Sequence, residues 1–237
     1  MIKTISIIYP FYNEEKRINK TLKDIKNFNL SCKHIKKEFI LVNDGSTDKT
    51  VDIISDFIKN NNNTKLLNYK INQGKGFALK KGVEKAKYDW ILTSDSDTSV
   101  SNFQLLEWIS KKLINHKNHI YFGSRNLIDS KVKEKKYRKI LGIIFTFITL
   151  IFFKIKLKDT QCGFKLYRSK YAKKIFKKII TNGYMHDIEI CLISKKLNMK
   201  IIELPVKWVH KDNSKISFFR DIFKILYSLL IIKKNEY

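Results

Sequence analysis

The sequence predicts an α/β protein in which parallel βαβ units place a set of polar loops along one edge of a sheet. Two observations carry this. Short apolar runs alternate with amphipathic helical patterns through the first half of the chain. Polar, glycine-rich or acidic clusters follow the strand candidates, where open α/β sheets bind ligands. With 237 residues, 43% hydrophobic and 13% aromatic, the chain can bury a core. That length fits one domain, or one domain with a short appendage, and the composition excludes disordered and collagen-like classes.

Thr4 to Tyr9 reads as a buried strand and Glu14 to Phe28 as a helix with Ile18, Leu22 and Ile25 on one face. Phe39 to Val42 is the second strand, and a helix runs from about Asp48 to Lys59 with Val51, Ile54 and Ile58 inward. A polar turn at Asn60 to Asn63 leads to a third strand, Lys65 to Tyr69, then a helix over Gly76 to Ala86 and a fourth strand, Trp90 to Thr93. The clusters after strand ends are Asn13-Glu14, Asp44-Gly45-Ser46, Gln73-Gly74-Lys75-Gly76 and Asp95-Ser96-Asp97. They should converge on one crevice.

Beyond about Lys131 the texture changes. Ile140 to Phe153 is a continuous apolar run flanked by Arg138, Lys139, Lys154 and Lys156. At 14 residues it is shorter than the roughly 20 needed to span a bilayer. A second segment, Ile216 to Ile232, mixes phenylalanines, leucines and isoleucines with basic residues. Such helices suit the membrane interface, and the plainer alternative is core packing. The expected division is a catalytic domain over 1–215, including an interfacial helix at 138–155, and a basic amphipathic helix over 216–237.

The formal net charge is +26, from 48 Lys+Arg against 22 Asp+Glu, yet only Arg17, Arg125, Arg138, Arg168 and Arg220 are arginines. Such a field attracts polyanions. Nucleic-acid readers favour clustered arginine, so this scatter argues against a nucleic-acid partner. Cys32, Cys162 and Cys191 show neither zinc-ligand spacing nor a disulfide framework, which points to a reducing compartment. The apolar stretch that meets Pro10 is too short for a signal sequence.

Asp95 and Asp97, one residue apart at a strand end, can together hold a hard cation that bridges a diphosphate. A D-x-D pair alone is common in solvated turns. Here it accompanies Tyr9-Pro10-Phe11-Tyr12-Asn13-Glu14-Glu15, Val42-Asn43-Asp44-Gly45-Ser46-Thr47-Asp48 and Asn72-Gln73-Gly74-Lys75-Gly76. With these motifs the chain resembles the inverting family 2 glycosyltransferases of GT-A fold, whose mixed, Rossmann-like nucleotide-binding sheet is flanked by helices. Gly123-Ser124-Arg125, Asp159 to Lys165, and Trp208-x-His210 with Ser214-Lys215 look like the branch that acts on dolichyl or polyprenyl phosphate.

The resemblance implies roles residue by residue. Asp44 would accept a hydrogen bond from the nucleobase, or alternatively cap the helix near Asp48. Pro10 and Asn13 would shape the nucleoside pocket with Glu14 nearby, and Lys75 would meet the base or ribose side. Asp97 would ligate Mg2+ or Mn2+, with Asp95 bracing metal or ribose and Gln161 an added contact to metal or diphosphate. Arg125 would meet phosphate or form a structural ion pair. Lys165, Arg168, His210, Ser214 and Lys215 would receive the acceptor, and Asp187 or Glu189 would orient it, act as base, or simply lie on a helix surface.

The expected activity is transfer of a hexose, glucose from UDP-glucose, to a polyprenyl phosphate with inversion. The enzyme would lie peripherally on the cytoplasmic face of a membrane. The alternatives are a GDP-mannose-dependent relative, a family 2 transferase acting on a saccharide hydroxyl, and a non-catalytic nucleotide-sugar binder.

Overall fold

A computed structural model of the chain describes residues 2–115, 117–133, 136–209 and 218–235. Its centre is a seven-stranded mixed sheet of order β3-β2-β1-β4-β7-β5-β8. The strands are β1 (Thr4–Phe11), β2 (Lys36–Asp44), β3 (Thr64–Tyr69), β4 (Trp90–Thr93), β5 (Ile120–Ser124), β7 (Lys165–Arg168) and β8 (Ile201–Pro205). A separate parallel pair joins β6 (Lys131–Lys133) to β9 (Lys207–Val209).

The first four strands run parallel, as the βαβ pattern predicts, so their carboxyl ends share one edge. The other half departs from that pattern. β7 inserts antiparallel between β4 and β5, pairing Thr93 with Lys165 and Phe122 with Lys165. Its amino end therefore lies at the same edge as the carboxyl ends of β4 and β5.

Side chains alternate across the sheet with period two. On one face, Ile5, Ile7, Tyr9, Phe39, Leu41 and Leu92 pack against α1 (Ile18–Ser31), α2 (Thr50–Lys59) and α4 (Phe103–Ser110). On the other, Ile8, Ile40, Val42, Ile91 and Tyr167 meet α3 (Lys75–Lys85), α6 (Ser169–Lys178) and α7 (His186–Lys196). Each fully buried Ile, Leu or Phe contributes about 1.5–3 kcal/mol, which fixes the strand register.

The first helix begins later than the sequence predicts. The Glu14 amide donates to Thr50 Oγ1 at 2.7 Å, and the Glu14 carboxylate grips Arg17 at 2.6 and 2.7 Å. Those bonds hold residues 14–17 in a turn, and α1 starts at Ile18.

The two apolar segments are helical: α5 spans Lys136–Phe153 and α8 spans Phe218–Lys234. Among the described residues no helix is long and apolar enough to cross a membrane. Phe145 and Phe153 of α5, and Ile225, Leu229 and Ile232 of α8, pack on the second core cluster. The opposite side of α5 leaves Ile143, Ile144, Phe147, Leu150 and Ile151 exposed, and α8 exposes Tyr227 and Leu230.

Candidate active site

The crevice is built from loops that leave the shared sheet edge. After β4, Asp95 and Asp97 sit in a turn whose Ser96 carbonyl accepts the Thr21 hydroxyl of α1 and whose Thr98 adopts φ 52°. Positive φ is strained for a β-branched residue, so the surrounding bonds must enforce it. The Ser99 amide donates to Asp97 Oδ1 at 2.8 Å. Burial, and then the like charge of Asp95, push Asp97 above the usual carboxylate range.

Lys75, the first residue of α3, reaches across the crevice and places Nζ 2.6 Å from Asp95 Oδ1. Burial opposes its charge, but Asp95 and Asp187 hold the ammonium well above the ordinary lysine value. Lys75, expected on the base or ribose side of the nucleotide, thus makes direct contact with Asp95.

Asp44 ends β2 and is nearly buried. Its Oδ2 accepts the Gly74 amide at 2.7 Å and Asn72 Nδ2 at 3.0 Å, while Oδ1 accepts the Gln73 amide at 2.9 Å. Burial pushes its pKa up and the amide bonds only partly offset this. The carboxylate clasps the loop before α3 and does not cap α2. Asn43 is spent on Asn68 Oδ1 at 2.8 Å and the Ser46 amide at 3.2 Å.

The same loop rests on the segment before α7. Gly74 has φ 111°, and a Cβ there would fall 2.5 Å from the Asn182 carbonyl oxygen. Glu189, fully buried, accepts the Ile180 amide at 3.0 Å and the Thr181 amide at 2.8 Å and also takes the Thr181 hydroxyl. It braces that segment from below and does not lie on a helix surface.

Two expected acceptor groups are absorbed by each other. Lys165 is buried against Asp187 in an ion pair, with His186 Nε2 3.3 Å from the same carboxylate oxygen. Burial would raise the Asp187 pKa, but His186, Lys165 and Lys75 together hold it below the usual carboxylate value. Asp187 is therefore a weak proton acceptor, and Lys165 does not face an incoming phosphate. Both lie beneath the crevice as a neutralised pair that supports Lys75.

Arg125 takes the structural alternative. Its Nε and Nη2 bond Asp159 at 2.7 and 2.9 Å, and its guanidinium lies 5.7 Å from the Trp208 ring centre. Asp159 also accepts the amides of Arg125, Gln161 and Cys162. This knot sets the backbone of Gln161, whose side-chain nitrogen is 3.5 Å from Thr160 Oγ1. Gly163 follows, pressed against Asp95.

Arg168 lies at the far end of β7, away from the crevice. Glu14 is committed to Arg17, while Asn13 Oδ1 accepts the Thr47 amide at 2.7 Å and joins the β1 and β2 loops beside Pro10. His210, Ser214 and Lys215 lie outside the described residues.

Arg17 belongs to the crevice although no motif assigns it a role. It is locked by Glu14, and Asp97 feels its charge. The Glu14–Arg17 spacing of three is a readable signal for the arginine.

The donor set fits a hard divalent cation only as a shared site. Asp95 and Asp97 offer carboxylate oxygens, and no cluster of three or more His, Cys, Asp or Glu side chains suited to a metal occurs among the described residues. Remaining positions would fall to diphosphate and water.

The model of the Glycosyl transferase family 2 matches residues 6–176, a span that includes Asp44, Lys75, Asp95, Asp97 and Gln161. The chain belongs to that family. Its relatives include a dolichyl-phosphate beta-glucosyltransferase of Trichomonas vaginalis, 36% identical over 219 residues, covering 90% of this chain and 68% of that protein. The Dictyostelium discoideum dolichyl-phosphate beta-glucosyltransferase is 34% identical, with 96% of this chain and 75% of that one aligned. In architecture the family 2 chain resembles glucosyl-3-phosphoglycerate synthase of Mycobacterium tuberculosis in complex with UDP. That match has a TM-score of 0.72 at 15% identity and covers 98% of this chain and 80% of the other. At that identity it establishes the GT-A fold alone.

Proposed function

We propose that this family 2 transferase moves glucose from UDP-glucose to the phosphate of dolichol or a related polyprenol, with inversion, using a divalent cation at Asp95 and Asp97. The observation that carries this reading is similarity over 90% of the chain to proteins named for that reaction. The crevice chemistry supports it.

Asp44 would bind the uracil edge. Its Oδ1 accepts one bond from the described residues and retains capacity for an N–H donor. Asn13 and Pro10 would wall the nucleoside. Asp97 and Asp95 would hold Mg2+ or Mn2+ against the diphosphate, with Gln161 at the rim, and a bound cation supplies charge neutralisation at the leaving group. The manganese in complexes of the glucosyl-3-phosphoglycerate synthase adds support for a metal. Lys75 and Arg17 place two further positive charges beside the acids, suited to a developing diphosphate.

An acceptor phosphate needs little general-base help, because its second pKa is about 6 and it is anionic at neutral pH. This removes the need for Asp187 as base. His210, Ser214 and Lys215 remain the acceptor-binding proposal.

The enzyme would reach its lipid by lying on the cytoplasmic face of the membrane through α5 and α8. Support comes from the apolar strip of α5, where Phe147 is 61% and Ile151 56% exposed. Its residues recur at helical spacing on one face.

The decisive assay offers labelled UDP-glucose, UDP-N-acetylglucosamine and GDP-mannose separately to vesicles containing dolichyl phosphate, with Mg2+ or Mn2+. Label should enter the lipid from UDP-glucose and require the cation. Transfer from GDP-mannose alone, or metal-independent transfer, would overturn the corresponding part of the reading.

A further inference from the structure

At the opposite edge of the sheet from the crevice lies a cavity of about 610 Å3, lined in part by Lys87, Asp89, His119, Arg168, Lys170 and Lys173. It sits before the start of β4 and beyond the end of β7, about 13 Å along the four residues of β4 from the acidic turn. We propose that this cavity is a second binding site, for a phosphate-bearing ligand.

Four cationic side chains line it against one carboxylate. That carboxylate, Asp89, accepts the Thr4 hydroxyl at 2.8 Å. Lys87 has Glu38 as a distant partner at 3.9 Å, while Lys170 and Lys173 have no ion-pair partner among the described residues.

Lysine abundance alone does not account for the arrangement. Arg168, one of five arginines in the chain, has its guanidinium 4.4 Å from the Trp90 ring centre. The ring contact holds the guanidinium in place, and a planar cation of this kind suits phosphate. Lys170 Nζ is 4.9 Å from the Tyr171 ring centre and Lys87 Nζ 5.1 Å from that of Tyr88. Tyr88 and Tyr171, the rings under Lys87 and Lys170, line the same hollow, whereas Trp90 under Arg168 belongs to the buried core.

His119 packs on Tyr171 with ring centres 4.0 Å apart, and its Nδ1 is buried without a hydrogen-bond partner among the described residues. A buried polar atom of this kind calls for a partner. The volume suits a small molecule or a headgroup. Several cations with donor-only chemistry select an anion bearing more than one charge, which phosphate supplies.

The test titrates the full-length protein with inorganic pyrophosphate in EDTA and follows the His119 imidazole by NMR, assigned with His119→Gln. Two pocket variants, Arg168→Gln/Lys170→Gln and Lys170→Gln/Lys173→Gln, are compared with Lys59→Gln/Lys111→Gln. The last pair removes the same charge from exposed positions outside the cavity. The second pocket variant keeps Arg168 on Trp90 and so guards against a folding defect.

The His119 signal should shift saturably, with affinity falling at least about tenfold in both pocket variants and less than roughly twofold in the control. Vesicles of phosphatidylcholine with and without phosphatidic acid identify the source. Vesicle binding weakened only in the pocket variants assigns a lipid headgroup; a response to pyrophosphate alone assigns a free phosphate compound. No saturable His119 shift together with equal vesicle binding by all variants, or equal pyrophosphate affinity in pocket and control variants, overturns the proposal.

Discussion

Gly163 packs so tightly on Asp95 that a Cβ at position 163 would fall 2.3 Å from Asp95 Oδ1. The acidic turn is therefore positioned by a residue with no functional group, on a loop that enters β7. Gly163→Ala should move the Asp95 carboxylate and lower kcat/KM by about 100-fold, the scale associated with a displacement near 1 Å. Thermal unfolding and circular dichroism should remain close to wild type.

Lys75 and a cation compete for the same carboxylate. Replacing it with methionine should lower transfer by about 100-fold or more, yet tighten Mn2+ binding measured without nucleotide, because Asp95 loses its internal counter-charge. Weaker Mn2+ binding in the variant would contradict the arrangement.

Asp44→Asn replaces an acceptor oxygen by an NH2 group that meets the amides of Gln73 or Gly74. The expected loss is about 1–3 kcal/mol of stability in urea, with weaker UDP binding in calorimetry. The geometry that creates this sensitivity is only half legible in the sequence. The Asp44 and Asn72-to-Gly76 motifs can each be read, and β4 falls where the apolar run places it, but nothing local shows that one motif is hydrogen-bonded to the other. Lys165 and Asp187 show the same limit. Each looks like a site residue in its motif, and only the antiparallel insertion of β7 brings them together and removes both from the surface. Helix starts fail for a similar reason, since Glu14 is drawn out of α1 by Thr50 and Arg17.

Breaking the Arg125–Asp159 pair with Arg125→Ala should cost about 3–5 kcal/mol, the scale for leaving a buried charge unpaired. Burial acts to raise the Asp159 pKa, but Arg125 and the surrounding amides hold it below the free value. The pair therefore adds stability above the unfolded aspartate pKa of about 3.9, and that stability is lost as pH falls through the lower folded value. Urea midpoints measured from neutral pH downward should fall in acid for the wild type. The double variant Arg125→Met/Asp159→Leu should show a shallower decline.

Phe147→Glu/Ile151→Glu changes two exposed side chains of α5, so thermal unfolding should move little. Binding to phosphatidylcholine vesicles should weaken by at least about tenfold, since each apolar group contributes up to roughly 1.5–3 kcal/mol when buried. Unchanged vesicle binding would remove α5 from the proposed membrane contact.

The insertion of β7 also sets an order of events during synthesis. β4 cannot complete its pairing until β7 has left the ribosome, and the Trp108 indole waits for the Pro205 carbonyl, 97 residues further on. Such distant closures slow folding and leave strand edges open in the meantime. The nascent amino-terminal half should therefore depend on chaperones until the strand that separates β4 from β5 arrives.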